Sequence, residues 1–156
     1  MEYRFLGHMT AGEVKPLDNC GYELDSLLDL FNVLSDGLWR IETCAPRLRP
    51  EWSEENRTLG QCSITAFLVQ DIFGGEVFGI PLPDGNYHCY NVISGQQYDL
   101  TIVQFGDKAD ELVYDNCNPQ SRAVHFAKEE KHERYLLLKS LLKEARGKIA
   151  YPDSVT

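Results

Sequence analysis

The chain has 156 residues, of which 43% are hydrophobic and 25% charged, the composition of one globular domain. Its formal charge of −9 and the lack of a basic patch interleaved with aromatics speak against binding to a phosphate backbone. The apolar runs are too short to cross a bilayer and the N-terminus lacks a basic start followed by an apolar core, so a cytoplasmic protein without membrane association is expected.

Residues 1–20 show no clear periodicity and read as an irregular N-terminal extension of a single domain spanning 1–156. In "ELDSLLDLFNVLSD" (Glu23–Asp36), Leu24, Leu27, Leu28, Phe31 and Leu34 recur at helical spacing, ahead of a stop at Gly37. A long connection rich in Pro, Arg and Glu follows, of the kind that often builds a functional loop. The next helix runs from Cys62 to Phe73 and stops at Gly74-Gly75. Its apolar residues, Ile64, Ala66, Phe67, Leu68, Val69, Ile72 and Phe73, cover most of the circumference, which predicts a central, buried helix.

Three strands are predicted at Glu76–Ile80, Tyr87–Ile93 and Gln96–Thr101, separated by "PDG" and "SG" turns, with a fourth at Glu111–Asp115. The chain closes with a helix over "FAKEEKHERYLLLKSLLKEAR" and a tail at 147–156. The order of elements predicts an α+β domain: a buried helix on an antiparallel sheet, flanked by N- and C-terminal helices.

The five cysteines, Cys20, Cys44, Cys62, Cys89 and Cys117, are widely spaced and odd in number. Neither a disulfide framework nor a zinc site fits that pattern, and no metal or cofactor is expected. Cys62 is different in its position. At a helix start, the unpaired N–H groups and the helix dipole favour a thiolate, and its own backbone N–H can serve a tetrahedral oxyanion. Gln61 offers an amide donor beside it, and Gly60 allows a sharp turn and close approach of a substrate.

A thiol nucleophile needs a base, and the base an orienting group. With Ser94-Gly95 as a two-residue turn, Ile93 pairs with Gln96 and Tyr90 lies opposite Asp99. His88 then shares a face with Tyr90 and is diagonal to Asp99, about 7 Å away at the backbone and within side-chain reach. Trp52 and Asn56 end the long loop and are candidates to line the cleft or complete an oxyanion site. Tyr90 is a candidate pocket wall, and Cys89, facing away from His88, a core residue. His8, His125 and His132 are expected to be solvated. Each of these residues has a plain structural reading too: a buried Cys62, a satisfied histidine, an exposed strand aspartate, a loop tryptophan that anchors packing.

"GQC" opening a buried helix, "HCYN" on a strand and "YDLT" on the next resemble the transglutaminase-like branch of the papain-like cysteine enzymes. More closely, "WSEENRTLGQCSITAFLVQDIFGGE" followed by "YDLTIVQF" resembles the YunG family of small bacterial proteins, over about Trp39 to Phe105 and more loosely in the C-terminal helix. The resemblance implies a transglutaminase-like fold and a Cys62-His88-Asp99 triad, and leaves the substrate open. The leading expectation is a thiol-dependent acyl-transfer enzyme, a hydrolase or acyltransferase acting on an amide or ester in a small or peptide-like substrate. The alternative is a non-catalytic domain that keeps the fold and binds a ligand or protein in the cleft.

Overall fold

The computed structural model describes residues 5–148. Beyond a single turn, α1 (His8–Ala11), the first long apolar stretch becomes α2 (Leu27–Val33). Ser26 caps it, its hydroxyl accepting Asp29 N–H at 3.2 Å. α2 is shorter than the periodicity predicts: Leu34–Leu38 form a wide turn in which Gly37 has φ 92°, and the polar start at 23–25 stays outside the helix. Leu27, Leu30, Phe31, Leu34 and Leu38 are buried, each worth about 1.5–3 kcal/mol if fully withdrawn from water. The long connection is organised into two short 3₁₀ segments, Ile41–Thr43 and Pro46–Glu51.

Helix α3 (Cys62–Phe73) has the predicted bounds and is buried along nearly its whole length, from Ser63 to Val69 and at Ile72 and Phe73. It lies across a three-stranded antiparallel sheet in the order β1 (Glu76–Pro81), β2 (Tyr87–Ile93), β3 (Gln96–Tyr98). Ser94 and Gly95, at φ 51° and 80°, form the two-residue turn, and Ile93 pairs with Gln96 as its spacing requires. The ladder places Asn91 opposite Tyr98 and ends there; the next residue, Asp99, forms a bridge to Leu6 instead of extending β3 to Thr101.

Glu111–Asp115 is not a strand. Residues Ile102–Glu111 coil as 3₁₀ turns, and the chain after them packs side chains onto the sheet face without joining the ladder. The stretch that does meet a sheet edge is 118–120: Gly79 N–H donates to Asn118 O at 2.8 Å and Gln120 N–H to Val77 O at 2.9 Å, covering β1. The C-terminal segment divides into α4 (Arg122–Phe126) and α5 (Glu129–Arg146), which pack together, with α5 lying on α3. Of the 147–156 tail, Gly147 bridges to Tyr22 and the rest from residue 149 lies outside the described residues.

The chain is therefore α+β, with its main core between α2, α3, α5 and one face of the sheet. The other face carries a smaller cluster of Ile80, Tyr90 and Val92, covered by Phe78, Leu112 and Tyr114. Residues 5–20, irregular by sequence pattern, contribute Phe5 and Ala11 to the main core. Among the described residues no helix is long and apolar enough to cross a membrane.

Candidate active site

The loop that ends at Cys62 is held from two sides. Gly60 has φ +73°, and a Cβ there would lie 2.6 Å from Cys44 Sγ and 2.8 Å from Ala45 N, so the glycine serves a close approach to its own chain. Arg134, buried on α5, donates to Thr43 O at 3.0 Å and Gly60 O at 3.4 Å and pairs with Glu130. Trp39 Nε1 donates to Thr65 Oγ1 at 2.9 Å, tying the same loop to the first turn of α3. Cys62 starts the helix at the end of this frame and is half-buried, with Sγ 3.8 Å from Tyr87 O at the head of β2.

His88 and Asp99 are both buried, at 0% and 1% exposure. His88 Nε2 donates to Asp99 Oδ2 at 2.6 Å. Nδ1 is buried and makes no hydrogen bond, and Cys62 is the neighbour that, after Asp99, raises the pKa of the ring. Cys62, His88 and Asp99 are thus neighbours, with the 2.6 Å hydrogen bond joining the last two.

Four further groups fix that line, and spacing in the sequence singles out none of them. Tyr114 OH donates to Asp99 Oδ2 at 2.5 Å, and Thr101 N–H and Oγ1 donate to Oδ1 at 3.2 and 3.4 Å. Phe105 stands edge-on to the His88 ring at 4.7 Å and Gln104 Nε2 donates to Thr101 O at 2.9 Å. "DLT" and "QF" thus form a shell around the carboxylate and the imidazole; the motif itself is the signal in the sequence for Thr101 and Phe105. From the N-terminal segment, Leu6 O accepts Asp99 N–H at 3.1 Å.

The electrostatics follow from these contacts. Burial pulls His88 down, but the Asp99 charge and hydrogen bond, with the Cys62 sulfur, raise it to about 10. Cys62 is held well below the ordinary thiol value by a hydrogen bond from Cys89 and, against the effect of burial, by the hydrogen bond and charge of His88. Burial and the Asp99 charge push Tyr114 upward, keeping its proton available to the carboxylate. Both shifts run toward a thiolate–imidazolium pair.

The remaining sequence candidates lie differently. Gln61 is buried, and its Nε2 donates to Arg40 O at 3.0 Å, so its amide is held by the loop and is not a free donor beside the thiol. Trp52 Nε1 donates to Arg57 O at 3.0 Å, which makes it a loop anchor. Asn56 sits in the same turn, with its N–H donating to Ser53 O at 3.1 Å and Oδ1 buried without a partner. Tyr90 shares the His88 face but is fully buried, exchanging hydrogen bonds with Asn116 Oδ1 (2.7 Å) and N–H (2.9 Å). Cys89 is buried, and the neighbouring Cys62 together with burial pushes its thiol well upward.

His125 is half-buried, not solvated: Nε2 donates to Gln120 Oε1 at 2.8 Å and Nδ1 accepts from Lys131 Nζ at 2.9 Å. Burial and the Lys131 charge lower it to about 4. His8 is also half-buried, edge-on to Phe5, while His132 is exposed. Among the described residues no cluster of His, Cys, Asp and Glu is arranged to hold a metal.

Fold and site define an α+β domain with a helix-start thiol close to a strand imidazole that is hydrogen-bonded to a carboxylate. The chain belongs to the YunG protein family, whose sequence profile matches residues 26–147. It is similar to "Uncharacterized protein YunG" of Bacillus subtilis (strain 168), with 46% identity over 55 residues, a stretch covering 35% of this chain and 47% of that protein. The chain thus spans about half the length of the curated relative it matches. No solved structure matches it.

Proposed function

We propose that the protein is a thiol-dependent acyl-transfer enzyme of the transglutaminase-like, papain-like kind, with Cys62 as nucleophile, His88 as acid and base, and Asp99 as the orienting group. One observation carries this reading: His88 bonds Asp99 through Nε2 at 2.6 Å, while its buried Nδ1 makes no other hydrogen bond and Cys62 is near enough to raise the pKa of the ring. In this mechanism the Cys62 thiolate attacks a carbonyl carbon, and the negative charge that develops on oxygen faces the N–H groups at the start of α3. The His88 imidazolium gives its proton to the departing amine or alcohol, leaving a thioester. Neutral His88 then takes a proton from water, for hydrolysis, or from an amine, for transfer, and the acyl group leaves Cys62.

A cavity of about 330 Å³ is lined by Asn118, Gln120, Ser121, Val124, His125 and Tyr87, the residue whose carbonyl oxygen lies 3.8 Å from Cys62 Sγ. Its size suits one small group, consistent with a small-molecule or peptide amide or ester as substrate. Five unpaired cysteines fit a reducing compartment, which supports placement in the cytoplasm.

The test is labelling of the folded protein with a panel of electrophilic acyl and amide probes, followed by peptide mapping. Modification at Cys62, abolished by Cys62→Ala and strongly slowed by His88→Ala, is the expected result. A folded protein whose Cys62 ignores every probe, down to the smallest, would favour the non-catalytic ligand- or protein-binding reading.

A further inference from the structure

Side chains alternate along β2, so Tyr87, Cys89 and Asn91 face α3 while His88 and Tyr90 point to the other side. Two contacts fix how the helix lies over that face. Cys62 Sγ is 3.8 Å from Tyr87 O, and Asn91 Nδ2 donates to Ala66 O, one turn further along α3, at 2.8 Å. Cys89 lies between these anchors on the same face, opposite the first turn of α3, and the two thiols perturb each other, Cys62 downward and Cys89 upward. The two sulfurs are unequal. Cys62 is half-buried and reachable, whereas Cys89 is 2% exposed.

We propose that Cys62 and Cys89 form a reversible oxidation site, in which a hydroperoxide converts Cys62 to a sulfenic acid and Cys89 closes it as an intramolecular disulfide. The inference rests on the reading of Cys62 as an activated thiolate. In the first step the Cys62 sulfur attacks one peroxide oxygen and the O–O bond breaks. The departing oxygen takes a proton from the His88 imidazolium, so the peroxide leaves as alcohol or water while sulfur is oxidised. In the second step the Cys89 sulfur displaces the sulfenic oxygen, which leaves as water with the Cys89 proton, and the S–S bond forms. The two sulfurs must close to about 2.05 Å, and Cys62, as the first residue of its helix, is the one with room to move.

The arrangement supplies a resolving thiol from inside the protein. Burial of Cys89 shields it from direct oxidation, and its fixed place beside Cys62 gives it an advantage over thiols arriving from solution. Closure removes the nucleophile from acyl transfer and also protects it from irreversible oxidation; a dithiol reductant returns both thiols.

The test is brief treatment of the folded full chain with dilute hydrogen peroxide, quenching with a thiol-blocking reagent, and non-reducing peptide mapping. The expected product is a Cys62–Cys89 crosslink with the mass lowered by two hydrogens, reversed by dithiothreitol, with loss and recovery of probe labelling in step. In Cys89→Ser, Cys62 should instead accumulate dimedone-reactive sulfenic acid and go on to sulfinic acid. The wild-type crosslink map stands as the deciding measurement even if that variant folds poorly. If Cys62 labels with acyl probes but oxidises without the crosslink, or pairs with Cys20, Cys44 or Cys117, this inference fails and the acyl-transfer reading survives. If Cys62 reacts with neither probe nor peroxide, both fall together.

Discussion

Replacing Asp99 with asparagine keeps the side-chain shape and removes its charge. Burial alone pulls His88 down, yet Asp99 and Cys62 lift it from 6.5 to about 10, on the order of 5 kcal/mol in favour of imidazolium. Without the carboxylate, burial wins and His88 is neutral near neutral pH, so Cys62 loses the cation beside it. At the limit of an ordinary thiol titrating near about 8.5, only about 0.3% would be thiolate at about pH 6, on the order of 300-fold less than a fully ionised one. The Cys89 hydrogen bond, which the substitution leaves in place, keeps the loss below that limit. The thiolate of higher pKa is intrinsically more reactive, with a Brønsted slope of about 0.4–0.5, which returns one to two orders of magnitude. A net slowing of up to about tenfold at about pH 6 remains.

The assay is iodoacetamide alkylation followed peptide by peptide across the pH range. Wild-type Cys62 should react well below the pH at which an ordinary thiol ionises, and in Asp99→Asn its rate profile should move to higher pH, by less than the full distance to an ordinary thiol because the Cys89 hydrogen bond remains. Cys117, exposed and pushed upward by the neighbouring Asp115, supplies the internal reference, with a rate that rises only at alkaline pH in both proteins. Superimposable Cys62 profiles for the two proteins would refute the argument that Asp99 sustains the charge of His88.

Tyr114→Phe keeps the ring over the sheet and deletes one donor to a buried carboxylate, so the unfolding free energy from urea titration should fall by about 1.5–3 kcal/mol; a loss under about 0.5 kcal/mol would deny that role to the hydroxyl. Gly60→Ala should cost clearly more than Gly85→Ala in the same assay. Both glycines have positive φ, but only the Cβ at 60 strikes backbone and a buried sulfur, adding about 1–3 kcal/mol; equal losses would remove the packing argument. In Cys62→Ala, Asp99 still raises folded His88, by less than when the Cys62 sulfur stands beside it, while the unfolded ring releases its proton above 6.5. The His88 contribution, complete below that pH, should therefore be lost as pH rises through the folded value. Stability in that variant should decline over this window, and adding Asp99→Asn should flatten the decline; an unchanged slope would sink the linkage.

The parts of the site that are visible in the sequence are those set by local rules. A helix start follows from apolar periodicity and its Gly-Gly stop, which places Cys62. Strand alternation and a two-residue turn place His88 and Asp99 on compatible faces, because loop length fixes register. The supporting shell is out of reach for the opposite reason. Tyr114 acts from a stretch that reads as a strand by its alternation, but five residues carry too little pattern to distinguish pairing with a sheet edge from packing over its face. Alternation places Cys89 away from His88, as the structure does; what alternation cannot say is that a helix end lying over the strand lets one sulfur meet neighbours from both faces. Gln61 has the right chemistry beside the nucleophile, but its rotamer answers to Arg40 O, a tertiary partner 21 residues away in the chain.

The bridge between Leu6 and Asp99 carries a practical consequence. The family profile begins at residue 26, whereas Leu6 O holds the Asp99 amide and Thr10 Oγ1 lies 2.9 Å from the hydroxyl of Tyr98, the residue just before it. Phe5 packs against Phe31 at 4.4 Å between ring centres, fastening this segment to the core. A fragment trimmed to the family match would keep Cys62, His88 and Asp99 and lose the splint under the last of them. Weak activity from such a fragment would reflect the missing splint, so the opening residues belong in any sample used to judge the chemistry.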